Sequence, residues 1–371
     1  MCGKLSDFWG EGQLSGPRVA FVACNRNAGR FRGDPSFIHR CENLAHGLDA
    51  LGIGTELMHL TSLPLRPRHE VAVLHRPRHS LRLRVATSLL RRAGVRLVAD
   101  VDDLVFDEGL AGFSPGVMNG LLTLKETRDQ FSANRRALER FELITVSTEP
   151  LAEHVRRCFP SAQVVIVPNG VPRQWRSLPR RSAPPDAPVI TYLPGTRSHD
   201  RDFAVYAEGV AAFLAKYLDA RLEVTGPLKF TLPARPGQVV HCEKVPFERY
   251  HERVWGGWAN LAPLEATPFT RCKSALKVLE AGWWGVPTVC SPIPDAQRFD
   301  GAGALFAHDA EGCYMRLESM MDAARYRGLT EGLPARVLAV ADVDREAARL
   351  LGLVERIAAD LEKPRVLHRS P

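Results

Sequence analysis

The sequence predicts an α/β protein built from two doubly wound, Rossmann-like domains that face an interdomain cleft. Three observations carry that expectation. A chain of 371 residues is too long for one ordinary core and suits two domains of roughly 150 to 200 residues. An apolar strand leading into a glycine-bearing loop and a helix occurs twice, opening at residues 18–24 and again at 189–193. Between them residues 172–188, PRQWRSLPRRSAPPDAP, hold five prolines and four arginines without periodicity, which marks a linker. The expected division is 1–175 for the first domain, 176–188 for the linker, 189–340 for the second domain, and a terminal helix within 341–371 that packs back on the first.

The elements follow in order. RVAFVAC is an apolar run bounded by Pro17 and Asn25, suited to a parallel strand buried on both faces. A polar loop from Asn25 to Pro35 follows, with Ser36 as the expected cap of a helix reaching Gly52. Residues 70–74 read as a strand, 81–92 as an amphipathic helix and 95–101 as a strand ending at Asp102 and Asp103. Helices are expected at 120–142 and 150–158, with strands at 143–147 and 164–167 before the turn Pro168-Asn169-Gly170. After the linker, strands are expected at 189–193, 221–225, 239–245, 260–263 and 287–290. Helices are expected at 202–217, 274–284 and 344–361.

Hydrophobic content of 45% and charged content of 25% are those of a soluble globular protein, and no window holds the roughly 18 apolar residues of a membrane span. The stretch from Met1 to Gly16 lacks the basic and apolar regions of a secretory signal, so the expected compartment is the cytoplasm. Cysteines at 2, 24, 41, 158, 242, 272, 290 and 313 form no Cys-x-x-Cys pair and read as free thiols. The formal charge is +7, and only eight of the 49 basic residues are lysines. Nine arginines lie from Arg66 to Arg96 with Glu70 as the single acid. Such a stretch suits an anionic membrane surface and a peripheral position at the inner membrane, or is a solvated helix face. Stacking aromatics do not interleave with these arginines, which argues against nucleic acid.

The segment TRCKSALKVLEAG is the most informative. On a helix starting near Ser274, Lys273, Lys277 and Glu280 share one face at spacings of four and three. A helix N-terminus with unpaired N–H groups, the Ser274 hydroxyl and two lysines suits a diphosphate, and Glu280 one turn on suits the two hydroxyls of a ribose. The same pattern is also compatible with an ordinary solvated face.

The run PFTRCKSALKVLEAGWWGVPTVCSP resembles the signature of retaining GT-B glycosyltransferases of glycosyltransferase family 4, in a branch acting in bacterial surface polysaccharide synthesis. LPGTRSHDRDF, VADVDDLVF and VIVPNGV are similar to other segments of that branch, and together they cover most of residues 18–300. The resemblance implies a hexosyltransferase-like enzyme that moves a sugar from a nucleotide-diphosphate donor to a glycan or lipid-linked acceptor, with retention and without a metal or other cofactor. It implies that Glu280 binds the donor ribose, and that Lys273, Ser274 and Lys277 hold the diphosphate. Gly195 and Thr196 would approach the β-phosphate, with His199 and Asp200 nearby. Asp102 falls where many members carry a histidine near the scissile bond, and Asp103 follows it. A carboxylate there suits stabilising positive charge on the sugar or accepting a proton, or else caps the next turn. Asn25 and Arg26 of the first loop, with His75 and Arg76, are the expected acceptor side. One departure stands out: the first of the family's two glutamates falls on Cys272, which cannot act as a carboxylate. Rival readings are a nucleotide-sugar epimerase of the same fold and a catalytically silent scaffold that docks on membrane.

Overall fold

The computed structural model describes residues 18–180 and 185–362. The Met1–Gly16 stretch, Cys2, part of the linker and the last residues therefore lie outside the described residues.

The chain has the GT-B architecture of two Rossmann-like units. The first sheet runs β2-β1-β3-β4-β5-β6 and the second β12-β11-β10-β7-β8-β9, all strands parallel. In the first, β1 is Val19–Ala23, β2 Thr55–His59, β3 Val71–His75, β4 Arg96–Val101, β5 Leu143–Val146 and β6 Gln163–Ile166. In the second, β7 is Val189–Tyr192, β8 Arg221–Thr225, β9 Val239–Cys242, β10 Ala259–Ala262, β11 Thr288–Cys290 and β12 Ala304–Phe306. β1 is buried along its whole length because helices cover both faces, which is why its sequence shows no alternation. Each sheet reverses direction of winding beside its first strand, between β1 and β3 and between β7 and β10. Ligands of open parallel sheets bind at such points, beyond the carboxyl ends of the strands.

Several elements differ from the sequence expectation. β2 and β12 were not expected. β2 sits at the sheet edge with a half-buried TELMH pattern that carries little signal. The first helix is broken into Pro35–Phe37, a π-helical turn Ile38–Glu42 and Asn43–Ala50. Asp34, not Ser36, caps it, accepting from Ser36 N at 3.0 Å. Helices Ala310–Ser319, Ala323–Thr330 and Leu333–Val340 occupy a region left unassigned from sequence.

The proline-rich stretch is not a free tether where it is described. Trp175 is buried, and Arg176 bonds Asp342 at 2.6 Å and Asp344 at 2.8 Å. Those acids begin the last helix, Val343–Glu362, whose Val343, Ala347, Leu350 and Leu353 pack with Leu44, Ala45 and Leu48 of the first domain. The helix can approach because residue 170 is glycine: a Cβ there would lie 2.5 Å from Val343 N. Phe269 and Cys272 of the second half join the core of the first, so the two units share packed surface.

Candidate functional site

β3, β4 and β5 are in register so that His75, Asp100 and Thr145 lie side by side at the carboxyl end of the first sheet. Asp100 is buried and accepts from Arg40 at 2.7 Å, Thr145 at 2.8 Å and His75 Nδ1 at 2.8 Å. Burial alone would raise its pKa, but Arg40 and His75 outweigh burial and hold it below the ordinary value. Asp100 is thus a structural anchor beneath the site.

Above it Ser36, Arg76, Asp102 and Asp103 are half-buried, with His75 buried behind them. His75 Nε2 meets Ser36 Oγ at 2.8 Å, and Ser36 donates to Asp102 Oδ2 at 2.5 Å. Arg76 follows β3 in the left-handed region, at φ 50°, where a side-chain-bearing residue is strained. That turn aims its guanidinium at both following acids, Asp102 at 2.5 Å and Asp103 at 2.9 Å. Burial would raise the Asp102 pKa, yet Arg76, then His75 and the Ser36 hydroxyl, hold it well below the usual carboxylate range. Asp102 is therefore a fixed negative charge.

Across the cleft, the lysine segment departs from the expected single helix. A short helix ends at Arg271, Ala275 has ψ 43°, and the next helix spans Leu276–Trp283. Lys273 and Ser274 therefore sit in the turn before that helix and not on its face. Asp295 already accepts from Ala275 N at 2.7 Å, so one of the amides expected for phosphate is taken. Lys273 Nζ reaches Asp103 at 3.1 Å across the cleft, and Ser274 Oγ accepts from Asn169 at 3.1 Å, leaving its own O–H to donate. Lys277 is half-buried in the cleft wall; desolvation lowers its pKa, Glu280 opposes that shift and Lys273 adds to it. Among the described residues no carboxylate lies within ion-pair distance of Lys277. His199, bonded to Asp202 at 2.7 Å, is also lowered, by burial and then by Lys277. Gly195, at φ 78°, follows β7 and accepts from Lys244 Nζ at 3.1 Å. Glu280 is 6% exposed and accepts from His39 Nε2 at 3.0 Å.

A cavity of about 430 Å³ joins these groups. Ser36, His39, Arg76, Asp102 and Asp103 line it from the first domain, and Gly195, His199, Lys273, Ser274, Lys277 and Glu280 from the second. Five expected residues lie outside this lining. Asn25 bonds Asp34 at 3.2 Å and Arg26 is exposed outside the lining. Thr196 is exposed and pairs with Ser198, and Asp200 accepts from Lys229 N at 3.1 Å. His75 is buried behind Ser36, outside the lining. Cys272 is buried, its thiol pushed up to about 12 by burial, and its carbonyl accepts from Thr148 of the first domain at 2.8 Å. Ser36, read from sequence as a helix cap, and His39 and Lys244 were not expected as site residues. Lys244 alone carried a signal, as one of few lysines; Ser36 becomes visible only when the first sheet folds, and His39 only when the domains meet.

No protein-family model matches the chain, and no curated protein matches it in sequence. Solved structures do. Sucrose-phosphate synthase from Thermosynechococcus elongatus is similar over 93% of this chain and 100% of its own, at a TM-score of 0.62 and 16% identity. A glycosyltransferase from Rickettsia africae aligns over 93% and 99%, at 0.58 and 9% identity. Anabaena HepE, solved with UDP and glucose, aligns over 91% and 99%, at 0.54 and 10% identity. At these identities the likeness fixes the fold: the chain is a two-domain GT-B protein whose cavity lies between its Rossmann-like units.

Proposed function

We propose that the protein is a retaining glycosyltransferase that moves a sugar from a nucleotide-diphosphate donor to a glycan or lipid-linked acceptor, as in polysaccharide assembly. The observation that carries this reading is Lys277, a half-buried cation that lines the interdomain cavity with Lys273, with Glu280 one turn further. Two such cations stabilise charge that develops on a departing diphosphate without a metal ion. Of the Asp100-Val101-Asp102 acids, Asp100 is bonded to Arg40 and Asp102 to Arg76, which also favours a metal-independent reaction. In the step, the anomeric carbon–phosphate oxygen bond breaks and its electron pair leaves with the nucleoside diphosphate. The acceptor oxygen bonds the same carbon from the same face and passes its proton to the departing phosphate. Asp102 faces the positive charge that builds on the sugar ring.

The test is a thermal-shift panel of UDP, GDP, CMP and their sugar conjugates. A ligand at a hundred times its Kd stabilises by about 2.7 kcal/mol and raises the melting temperature by a few degrees. A flat response to every nucleotide overturns the reading. Incubation with the sugar conjugate that binds then separates transfer from epimerisation: a glycan or lipid product supports the first, a free isomeric donor the second.

The acceptor-side domain also carries a face suited to a bilayer, which supports a lipid-linked acceptor. Helix Leu81–Arg92 buries Leu83, Ala86, Thr87 and Leu90 and turns the opposite side outward. That side shows Leu81 at 74% and Val85 at 51% exposure, flanked by Arg84, Arg91 and Arg92. Arg140 joins them, and crowding by it after burial lowers the pKa of Arg91. Apolar residues ringed by arginines fit an anionic interface, each cation adding about 1 kcal/mol near the surface. Among the described residues no helix is long and apolar enough to cross a membrane. Replacing Leu81 and Val85 by Ser, and Arg84 and Arg92 by Glu, should reduce co-sedimentation with phosphatidylglycerol vesicles at least tenfold. Sedimentation equal to that of the unaltered protein would remove the bilayer from the proposal.

A further inference from the structure

We infer that His39 is a positioning residue of the donor site, contributed by the opposite domain: it holds the Glu280 carboxylate in place for a nucleotide ribose when the cleft is closed. This rests on the reading of Glu280 as the ribose ligand.

The contact is built deliberately by the backbone. A π-helical turn spans Ile38–Glu42, inserting an extra residue per turn into the first helix. The wider turn lets two successive side chains point inward with different targets. Arg40 goes down to Asp100 at 2.7 Å, and His39 goes across the cleft to Glu280 at 3.0 Å. An unbroken α-helix would swing these neighbours about 100° apart around the axis. His39 is 3% exposed and its orientation is constrained on every side. Asn43 Nδ2 approaches Nδ1 at 3.5 Å, which leaves Nε2 to donate to the carboxylate. The ring meets Phe247 edge-on at 5.3 Å and Trp175 at 6.2 Å. Phe247 belongs to the second domain and Trp175 to the segment joining the two, so this box forms only where the units come together.

Glu280 sits in a helix of the second domain, with His39 as its side-chain hydrogen-bond partner. An ionised carboxylate has about four acceptor positions, so one bond from His39 leaves room for both ribose hydroxyls. His39 then does not compete with the nucleotide. It selects one orientation of Glu280 by holding Oε1, and it does so from the facing domain. The His39–Glu280 pair thereby ties nucleotide affinity to the closed arrangement.

The experiment uses the full-length protein and isothermal titration with UDP, GDP and CMP. Three variants are compared: His39→Leu, which keeps bulk but no donor; His39→Gln, which keeps an N–H donor; and Glu280→Gln. A lost hydrogen bond to a charged group predicts that His39→Leu weakens nucleotide binding by about 10-fold, and that His39→Gln recovers most of it. In the Glu280→Gln background the His39→Leu change should matter less than about twofold, because coupled residues are not additive. Wild-type affinity in His39→Leu, or an equal loss in both backgrounds, overturns the inference. If His39→Leu does not fold, His39→Phe, which also lacks a donor, decides it in the two backgrounds: its loss must be larger with Glu280 present than in the Glu280→Gln background. Failure of the unaltered protein to bind any of the three nucleotides would instead remove the donor-site reading on which this depends.

Discussion

Replacing Lys277 by Met should lower kcat/KM by about 100-fold or more, and most of the loss should appear as weaker nucleotide binding in isothermal titration. Phosphate held by a charged donor in a water-poor cleft is worth far more than a surface ion pair, and a methionine keeps the volume of the lysine stem while removing the charge. Lys277 is the group to choose because, unlike Lys273, it has no carboxylate at ion-pair distance among the described residues. Lys273 divides its charge between the cavity and Asp103. The pH dependence has opposite signs for the two states. Burial lowers the Lys277 pKa in the free protein, so the free fold gains stability as pH rises from that lowered value toward the ordinary 10.5. Nucleotide affinity falls over the same interval, since the ammonium that holds the phosphate is being discharged. Titrations between pH 7 and 10 check this. Lys277→Arg should flatten the alkaline decline because a guanidinium keeps its charge. An affinity that is insensitive to Lys277→Met would remove the diphosphate role from this lysine.

The fold and half of the site were legible for different physical reasons. Strands buried on both faces announce themselves as uninterrupted apolar runs, and β1, β7 and β8 were placed within a residue or so. The helix Leu81–Arg92 has a four-residue buried stripe and a serine cap, so its bounds could be read directly. β12 is three residues long, too short for any periodicity to show. Within the site, the lysines and Glu280 were visible because they cluster in sequence. Their backbone was misread, since Ala275 gives no hint that it interrupts the helix; Asp295, twenty residues on, takes its amide instead. The residues that complete the cleft from the other side could not be found by any local pattern. His39 and Glu280 are 241 positions apart, and Ser36 and Asp102 are 66 apart. The first pair forms where the two units face each other, and the second forms within the first domain, between the helix after β1 and the end of β4. Asn25 and Arg26 were expected by analogy of position alone, and the loop turns them away toward Asp34 and solvent.

Asp102→Asn should lower kcat by about 100-fold while leaving nucleotide affinity within about twofold. The substitution preserves shape and an oxygen that accepts from Ser36, so what is lost is the charge. The direction of the Asp102 pKa decides between the two roles open to it. A general base works best with a pKa near the working pH, and Arg76 holds this carboxyl well below the ordinary 3.8. Asp102 therefore stays ionised and acts as a fixed counter-charge to the sugar ring as the bond to phosphate breaks. Linkage supplies an independent check. A lowered pKa contributes stability that is fully present above 3.8 and is lost as pH falls through the lowered value. The melting-temperature deficit of Asp102→Asn should thus be plain at pH 6 and shrink in strong acid, where the native carboxyl is protonated as well. An Asn variant with unchanged kcat would move the chemistry away from this carboxylate. A variant whose nucleotide affinity falls as steeply as kcat would show instead that Asp102 acts through Arg76, Asp103 and Lys273, as part of the chain of charges that closes the cleft.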